Sequence, residues 1–279
     1  MQELYPSKLM IFGEYAVLAG GEGLAIPWDD FVLVWIEDAE TPSAFYPHLV
    51  RFAQWLAEQG FDTIIDVAAF QLALQNGLDV ASTIPIGYGV GSSGAVVAAV
   101  YDRFARTNIP VTEIELLKQT LASMENFFHS TSSGLDPLVC YLQKPVHITP
   151  NGIHILDEVD LDILHMQLLD CGAERSTQTL VDAFRARMQT AEMQEALQHY
   201  IQLSNACIHA LLQKDAQALV TPLRQLSQWQ WQYFDFAIPT HLRNEWADAN
   251  THQTAIYKLC GAGGGGFMLV FSKLSELAD

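Results

Sequence analysis

Apolar positions fall into two rhythms along the chain, and each rhythm predicts a kind of element. Apolar runs at 8–12 and 31–36 predict short buried strands, whereas Leu49, Phe52, Trp55 and Leu56 recur at helical spacing and predict a helix over 46–58. The apolar stretch 64–72 predicts extended chain. Residues 81–86 lead into a glycine-rich loop, after which Ser92 or Ser93 caps a helix running to about Arg106. Thr112 with Glu115 makes a capping-box pattern opening a helix that carries Ile114, Leu117, Leu121 and Met124 towards Glu125. Short strands follow at 137–141, 146–149 and 152–156. From about residue 161 the pattern changes to a strand at 164–169, helices at 178–188, 193–212, 217–233 and 241–249, and two strands at 254–260 and 267–271. The second half thus reads as helices packed on a small sheet, an α+β arrangement with a boundary near residue 157: one domain over 1–157 and another over 158–279.

Glycines punctuate this pattern in three places. Gly13, Gly20, Gly21 and Gly23 follow the first strand, Gly87, Gly89, Gly91 and Gly94 follow the run 81–86, and Gly261, Gly263, Gly264, Gly265 and Gly266 separate the last two strands. The middle cluster passes from a strand, through a loop without bulky side chains, into an apolar helix. The free first-turn amides and the positive end of the helix dipole would face such a loop, so it can hold phosphate oxygens without basic side chains. It also fits a plain glycine-rich turn. A Rossmann fingerprint would need Gly or Ala where Ser92 stands, and no Gly-Lys-Ser/Thr of a Walker loop occurs. Four consecutive glycines in the last cluster cost much backbone entropy, and a purely structural hairpin would need one or two. They predict a backbone surface that meets another loop or a ligand.

Half of the 279 residues are hydrophobic, so a large core is expected, and 32 acidic against 14 basic residues give a formal charge of −18. That balance argues against binding to nucleic acid or to an anionic membrane. It also makes a divalent cation necessary for any phosphate site, because only six lysines are present. Cys140, Cys171, Cys207 and Cys260 show neither a disulfide framework nor zinc-ribbon spacing, and read as buried thiols in a reducing compartment. The opening residues have no signal-peptide pattern, and no apolar run is long enough to span a bilayer, so a soluble cytoplasmic protein is expected. No HExxH or GxSxG pattern supports a zinc protease or a common hydrolase.

What remains suits phosphoryl transfer, which needs cradled phosphates, a bridging metal and a carboxylate near the attacking hydroxyl. Glu125 ends a predicted helix, and Asp136 follows in the polar loop before Pro137; ordinary turn chemistry and a solvated helix face are the alternatives. Lys8, the one lysine in the first hundred residues, could steady developing negative charge, or be a surface cation. His129 stands near Asp136 in sequence and reads as a structural histidine.

Taken together, the three glycine loops resemble, in order, the three motifs of the GHMP kinases, the family of galactokinase, homoserine kinase, mevalonate kinase and phosphomevalonate kinase. Pro6-Ser7-Lys8 through Gly13-Glu14-Tyr15 to Leu18 is similar to the first motif, Pro85 to Ala95 to the second (P-x-G-x-G-L-G-S-S-A), and Lys258 to Phe267 to the third (K-x-T-G-A-G-G-G-G). Glu125 to Asp136 resembles the mevalonate kinase stretch E…H-G-x-P-S-G-x-D, and Arg175 to Val181 resembles that branch's R-x-T-x-x-L-V. Ser7 stands for a glycine, Tyr15 for the histidine after Gly-Glu, Ser130 for a glycine and Cys260 for a threonine; Gly-Glu-Tyr-Ala-Val is also similar to phosphomevalonate kinases.

The resemblance implies a ribosomal-protein-like α/β N-terminal domain, a ferredoxin-like α+β C-terminal domain and a cleft between them. It implies Asp136 as base with Lys8 as its cationic partner, and an ATP-binding loop of Gly87, Tyr88, Gly89, Val90, Gly91, Ser92 and Ser93 with Gly263 and Gly264. It further implies Glu14, Tyr15 and Thr177 at the acceptor, and Ser93 and Glu125 as Mg2+ ligands. The expected activity is ATP-dependent phosphorylation of a small alcohol, with mevalonate as the acceptor and isoprenoid biosynthesis as the setting. Phosphomevalonate, for which Arg175 would be the extra cation, a sugar or an amino alcohol are alternative acceptors. A non-catalytic ligand-binding descendant of the family is a further alternative. The sequence leaves the oligomeric state open, a homodimer included.

Overall fold

The computed structural model describes residues 3–129, 131–172 and 177–272, with the side chain of Thr177 also outside the description. Ser130, Arg175 and the Thr177 hydroxyl, all named above, therefore lie outside the described residues.

The chain forms two compact units that interleave along the sequence. The first takes the residues up to Lys8, Pro27–Pro85 and Val90–Lys144; the second takes Leu9–Ile26, Ile86–Gly89 and the chain from Pro145 onward. The chain's last passage between units is thus between Lys144 and Pro145. Strands β1 (Leu4–Phe12) and β2 (Gly23–Ile36) contribute to both units, which is why no single cut separates them.

In the first unit, the later part of β2 pairs antiparallel with β3 (Asp79–Ser82), from Leu33 opposite Ser82 to Ile36 opposite Asp79. Helices α1 (Tyr46–Glu58), α2 (Val67–Gln75), α3 (Ser92–Phe104), α4 (Ile114–Glu125) and α5 (Leu135–Leu142) complete it. Trp35, Phe70 and Phe104 form one aromatic nucleus, with Phe70 and Phe104 ring centroids 4.8 Å apart.

Two stretches expected to be extended are helical. Asp66 caps α2 by accepting the Ala69 amide at 3.1 Å, and Val67, Phe70 and Leu74 are the buried positions of a helical stripe. Residues 137–141 belong to α5, entered through Gly134 at φ +73°, with Pro137 in the first turn, where its missing N–H costs nothing. The Thr112–Glu115 box does not form, because a 3₁₀ turn over Val111–Glu113 precedes α4. The cap before α3 is Gly91 at φ +82°, so Ser92 and Ser93 become the first two residues of that helix.

In the second unit, the start of β2 pairs with β4 (Val146–Thr149), which forms a hairpin with β5 (Gly152–Ile155). A separate antiparallel sheet has the order β6 (Met166–Asp170), β8 (Phe267–Phe271), β7 (Ile256–Leu259). Helices α6 (Thr177–Arg187), α7 (Ala191–Leu212), α8 (Ala216–Tyr233) and α9 (Arg243–His252) accompany it, around a core that includes Tyr200, Trp229 and Phe234. Among the described residues no helix is long and apolar enough to cross a membrane.

Candidate active site

The first unit gathers four of the residues singled out above. Lys8 lies in β1, and its ammonium nitrogen is 2.7 Å from Asp136 Oδ1; the lysine side chain is 7% exposed and the aspartate 31%. A carboxylate with one oxygen on a buried cation and a third of its surface in solvent can receive a proton from an arriving hydroxyl. Asp136 sits in the first turn of α5, where the helix dipole favours its negative charge. The Lys8 amide donates to the Val90 carbonyl at 2.9 Å, tying β1 to the loop that enters α3.

Close packing of α3 on α5 fixes this geometry. A Cβ on Gly94 would fall 2.8 Å from both the Asp136 carbonyl carbon and the Pro137 nitrogen, so only glycine lets the two backbones approach so closely. Gly91 faces the same place, its notional Cβ 3.4 Å from Lys8 Cβ and 3.7 Å from Asp136 Cβ.

Glu125, the last residue of α4, is buried. Ser93 Oγ donates to its Oε1 at 2.8 Å and Ser132 Oγ to its Oε2 at 2.5 Å, while His129 Nε2 is 3.0 Å from Ser93 Oγ. Burial, and next the charge of Asp136, push the Glu125 carboxyl up to about 7, against the two serine hydrogen bonds and Lys8, which pull it down. The same burial pushes the Cys140 thiol well above its ordinary range, so this cysteine is a packing residue.

A hydroxyl and a carboxylate oxygen side by side form a hard-donor pair suited to magnesium, which takes its other ligands from phosphate oxygens and water. Among the described residues no three His, Cys, Asp or Glu side chains gather to hold a metal by themselves.

The second unit holds Glu14, Tyr15, Gly87, Tyr88, Gly89, Gly263 and Gly264. Gly87 and Gly89 adopt positive φ, and a Cβ on Gly266 would lie 2.3 Å from the Tyr88 carbonyl oxygen, so the tetraglycine run packs against the start of the phosphate-loop candidate. Gly263 faces the Ala237 carbonyl oxygen, where a Cβ would come within 2.5 Å, and Gly264, at φ +78°, faces the end of the Leu180 side chain. The Tyr88 and Phe267 rings are 5.1 Å apart.

Tyr15, at φ +50°, is buried between Phe184 and Phe234 at ring distances of 4.7 and 4.8 Å, and its hydroxyl donates to Ala262 O at 2.6 Å. Glu14 forms an ion pair with Lys258, the side chains 1% and 0% exposed, and Lys258 also donates to Leu259 O at 2.8 Å. Tyr200 donates to Glu14 O at 3.1 Å, and Gln230 links Tyr200 to the Leu259 amide. Glu14 and Tyr15 are thus tied to the segment carrying the last glycines. Removing either partner of so buried a pair strands a charge, a loss of about 3–5 kcal/mol. The sequence reading missed this role of Lys258; the available signal was one charged residue inside the apolar strand Ile256–Leu259. It also missed Ser132.

Residues 50–144 match the family model described as the GHMP kinases N terminal domain. Mevalonate kinase of Pyrococcus horikoshii is 27% identical over 300 residues, covering 94% of this chain and 86% of that protein; the one from Thermococcus onnurineus is 25% identical, covering 98% and 90%. Among solved structures, L. major mevalonate kinase in complex with R-mevalonate superposes with a TM-score of 0.63 at 19% identity, over 99% of this chain and 88% of the other. Streptococcus pneumoniae phosphomevalonate kinase, in complex with phosphomevalonate and AMPPNP, gives 0.65 at 16% identity, over 100% and 94%. Residues 50–144 thus match the N-terminal domain of the GHMP kinases, and the chain has the α+β fold of those structures and is similar over nearly its whole length to mevalonate kinases.

Proposed function

We propose that this protein is an ATP- and magnesium-dependent kinase that phosphorylates the hydroxyl of a small alcohol, with mevalonate as acceptor. The Lys8–Asp136 pair, set against the entry of α3 with Ser93 and Glu125 alongside, carries the reading. Asp136 orients the acceptor hydroxyl and takes its proton, and Lys8 holds the carboxylate in place and offsets charge building on the transferred group. The first-turn amides of α3, reached through positive-φ Gly87, Gly89 and Gly91, meet phosphate oxygens. Ser93 and Glu125 offer oxygen ligands to magnesium, which when bound neutralises phosphate charge. The family resemblance assigns Gly263 and Gly264 to ATP binding and Glu14, Tyr15 and Thr177 to acceptor binding.

Mevalonate is supported by the names of the relatives and by the Glu125-to-Asp136 pattern. An acceptor with its own phosphate would call for a further cation, because Lys8 and Lys258 are both paired with carboxylates, and Arg175 is the sequence's candidate for that role. The deciding experiment is an ADP-release screen over mevalonate, phosphomevalonate, homoserine and common sugars. Mevalonate should give the highest kcat/KM; a preference for another acceptor would reassign the substrate. Asp136→Asn should lower kcat by about three to four orders of magnitude while ATP still binds, and near-normal turnover would remove Asp136 as the base.

A further inference from the structure

Glu125 is poorly served by its surroundings as a fixed ligand. It ends α4, where the helix dipole opposes negative charge, and a glutamate's terminal torsion is broad, so its carboxylate plane needs an external anchor. Ser93 anchors Oε1. The other oxygen is held from the loop before α5, where Ser132 Oγ donates to Oε2.

Ser132 is itself held from two sides. Its hydroxyl oxygen accepts the Gly134 amide at 2.9 Å, which aims its single proton at Glu125, and its own amide donates to Asn126 Oδ1 at 3.0 Å. Gly134, at φ +73°, is wedged against the Lys118 carbonyl, where a Cβ would come within 2.3 Å. The mevalonate kinase pattern quoted above has proline at this position, which offers neither the hydroxyl nor the amide hydrogen.

We propose that Ser132 is a positioning residue that locks the Glu125 carboxylate in the orientation in which it and Ser93 face a common cation. The inference rests on the magnesium role proposed for Ser93 and Glu125. Because Ser132 also bonds the first residues leading into α5, it links the metal-side carboxylate to the helix that carries Asp136.

The test compares wild type with Ser132→Ala, Ser132→Thr and Glu125→Gln, measuring Mn2+ affinity in the presence of ADP by electron paramagnetic resonance, the Mg2+ dependence of turnover, and the melting temperature without metal. Ser132→Ala should weaken Mn2+ binding roughly tenfold and raise the Mg2+ concentration for half-maximal turnover similarly. Its melting temperature should stay close to wild type, and Ser132→Thr should restore the affinity. Unchanged Mn2+ affinity in Ser132→Ala, with Glu125→Gln impaired, overturns this inference alone. Unchanged affinity in both variants overturns the metal assignment beneath it. A weakened affinity that follows a lowered melting temperature and is not rescued by threonine makes Ser132 structural and also overturns the inference.

Discussion

Glu125 is a buried acid whose two protonation states differ in their effect on stability. Burial and the charge of Asp136 raise its carboxyl to about 7 from an ordinary 4.5, so the folded chain holds this proton more tightly than the unfolded chain does. Its contribution to stability is therefore full below the ordinary value and is lost as the pH climbs towards 7. Glu125→Gln cannot ionise. In metal-free buffer it should melt at a higher temperature than wild type near pH 8 and at about the same temperature near pH 5, by thermal denaturation followed by circular dichroism. An equal displacement at both pH values would show that the carboxylate is not held above its usual range.

At the scale of elements, the packing of α3 on α5 sets where Asp136 points. Gly94→Ala should gain about 1 kcal/mol of helix propensity. Against this, the new methyl meets backbone atoms at 2.8 Å, and such overpacking costs about 1–3 kcal/mol. The clash wins, since neither helix backbone can turn aside as a side chain would. The variant should lose stability by denaturant titration, and because an ångström of misplacement is felt strongly in catalysis, kcat should fall by about tenfold or more. Elements with a clear period, such as α1, α7 and the β7–β8 pair, were legible from residue spacing. Residues 64–72 and 137–141 were not, because short apolar runs suit strand and helix alike, and the choice was made by the Asp66 cap and the turn at Gly134. Lys8, Ser93, Glu125 and Asp136 could be singled out from the order and spacing of their motifs. The Lys258–Glu14 pair could not, since it joins residues 244 positions apart and depends on tertiary packing.

Across the whole molecule, a formal charge of −18 sets a background potential that repels a nucleotide before any loop touches it. A kinase using main-chain amides should therefore bind MgATP better as salt screens that potential. KM for MgATP should fall by roughly twofold as ionic strength rises from about 0.02 to about 0.15 M, measured by initial rates; a rise in KM would indicate a locally basic nucleotide site. The interleaved chain bears on inheritance as well as on architecture. Because Leu9–Ile26 and Ile86–Gly89 belong to the same unit as the chain from Pro145 onward, one recombination crossover cannot exchange a complete unit with a cousin. A grafted back half would inherit Lys258 without its own Glu14, so exchanging either unit intact requires several coordinated splices.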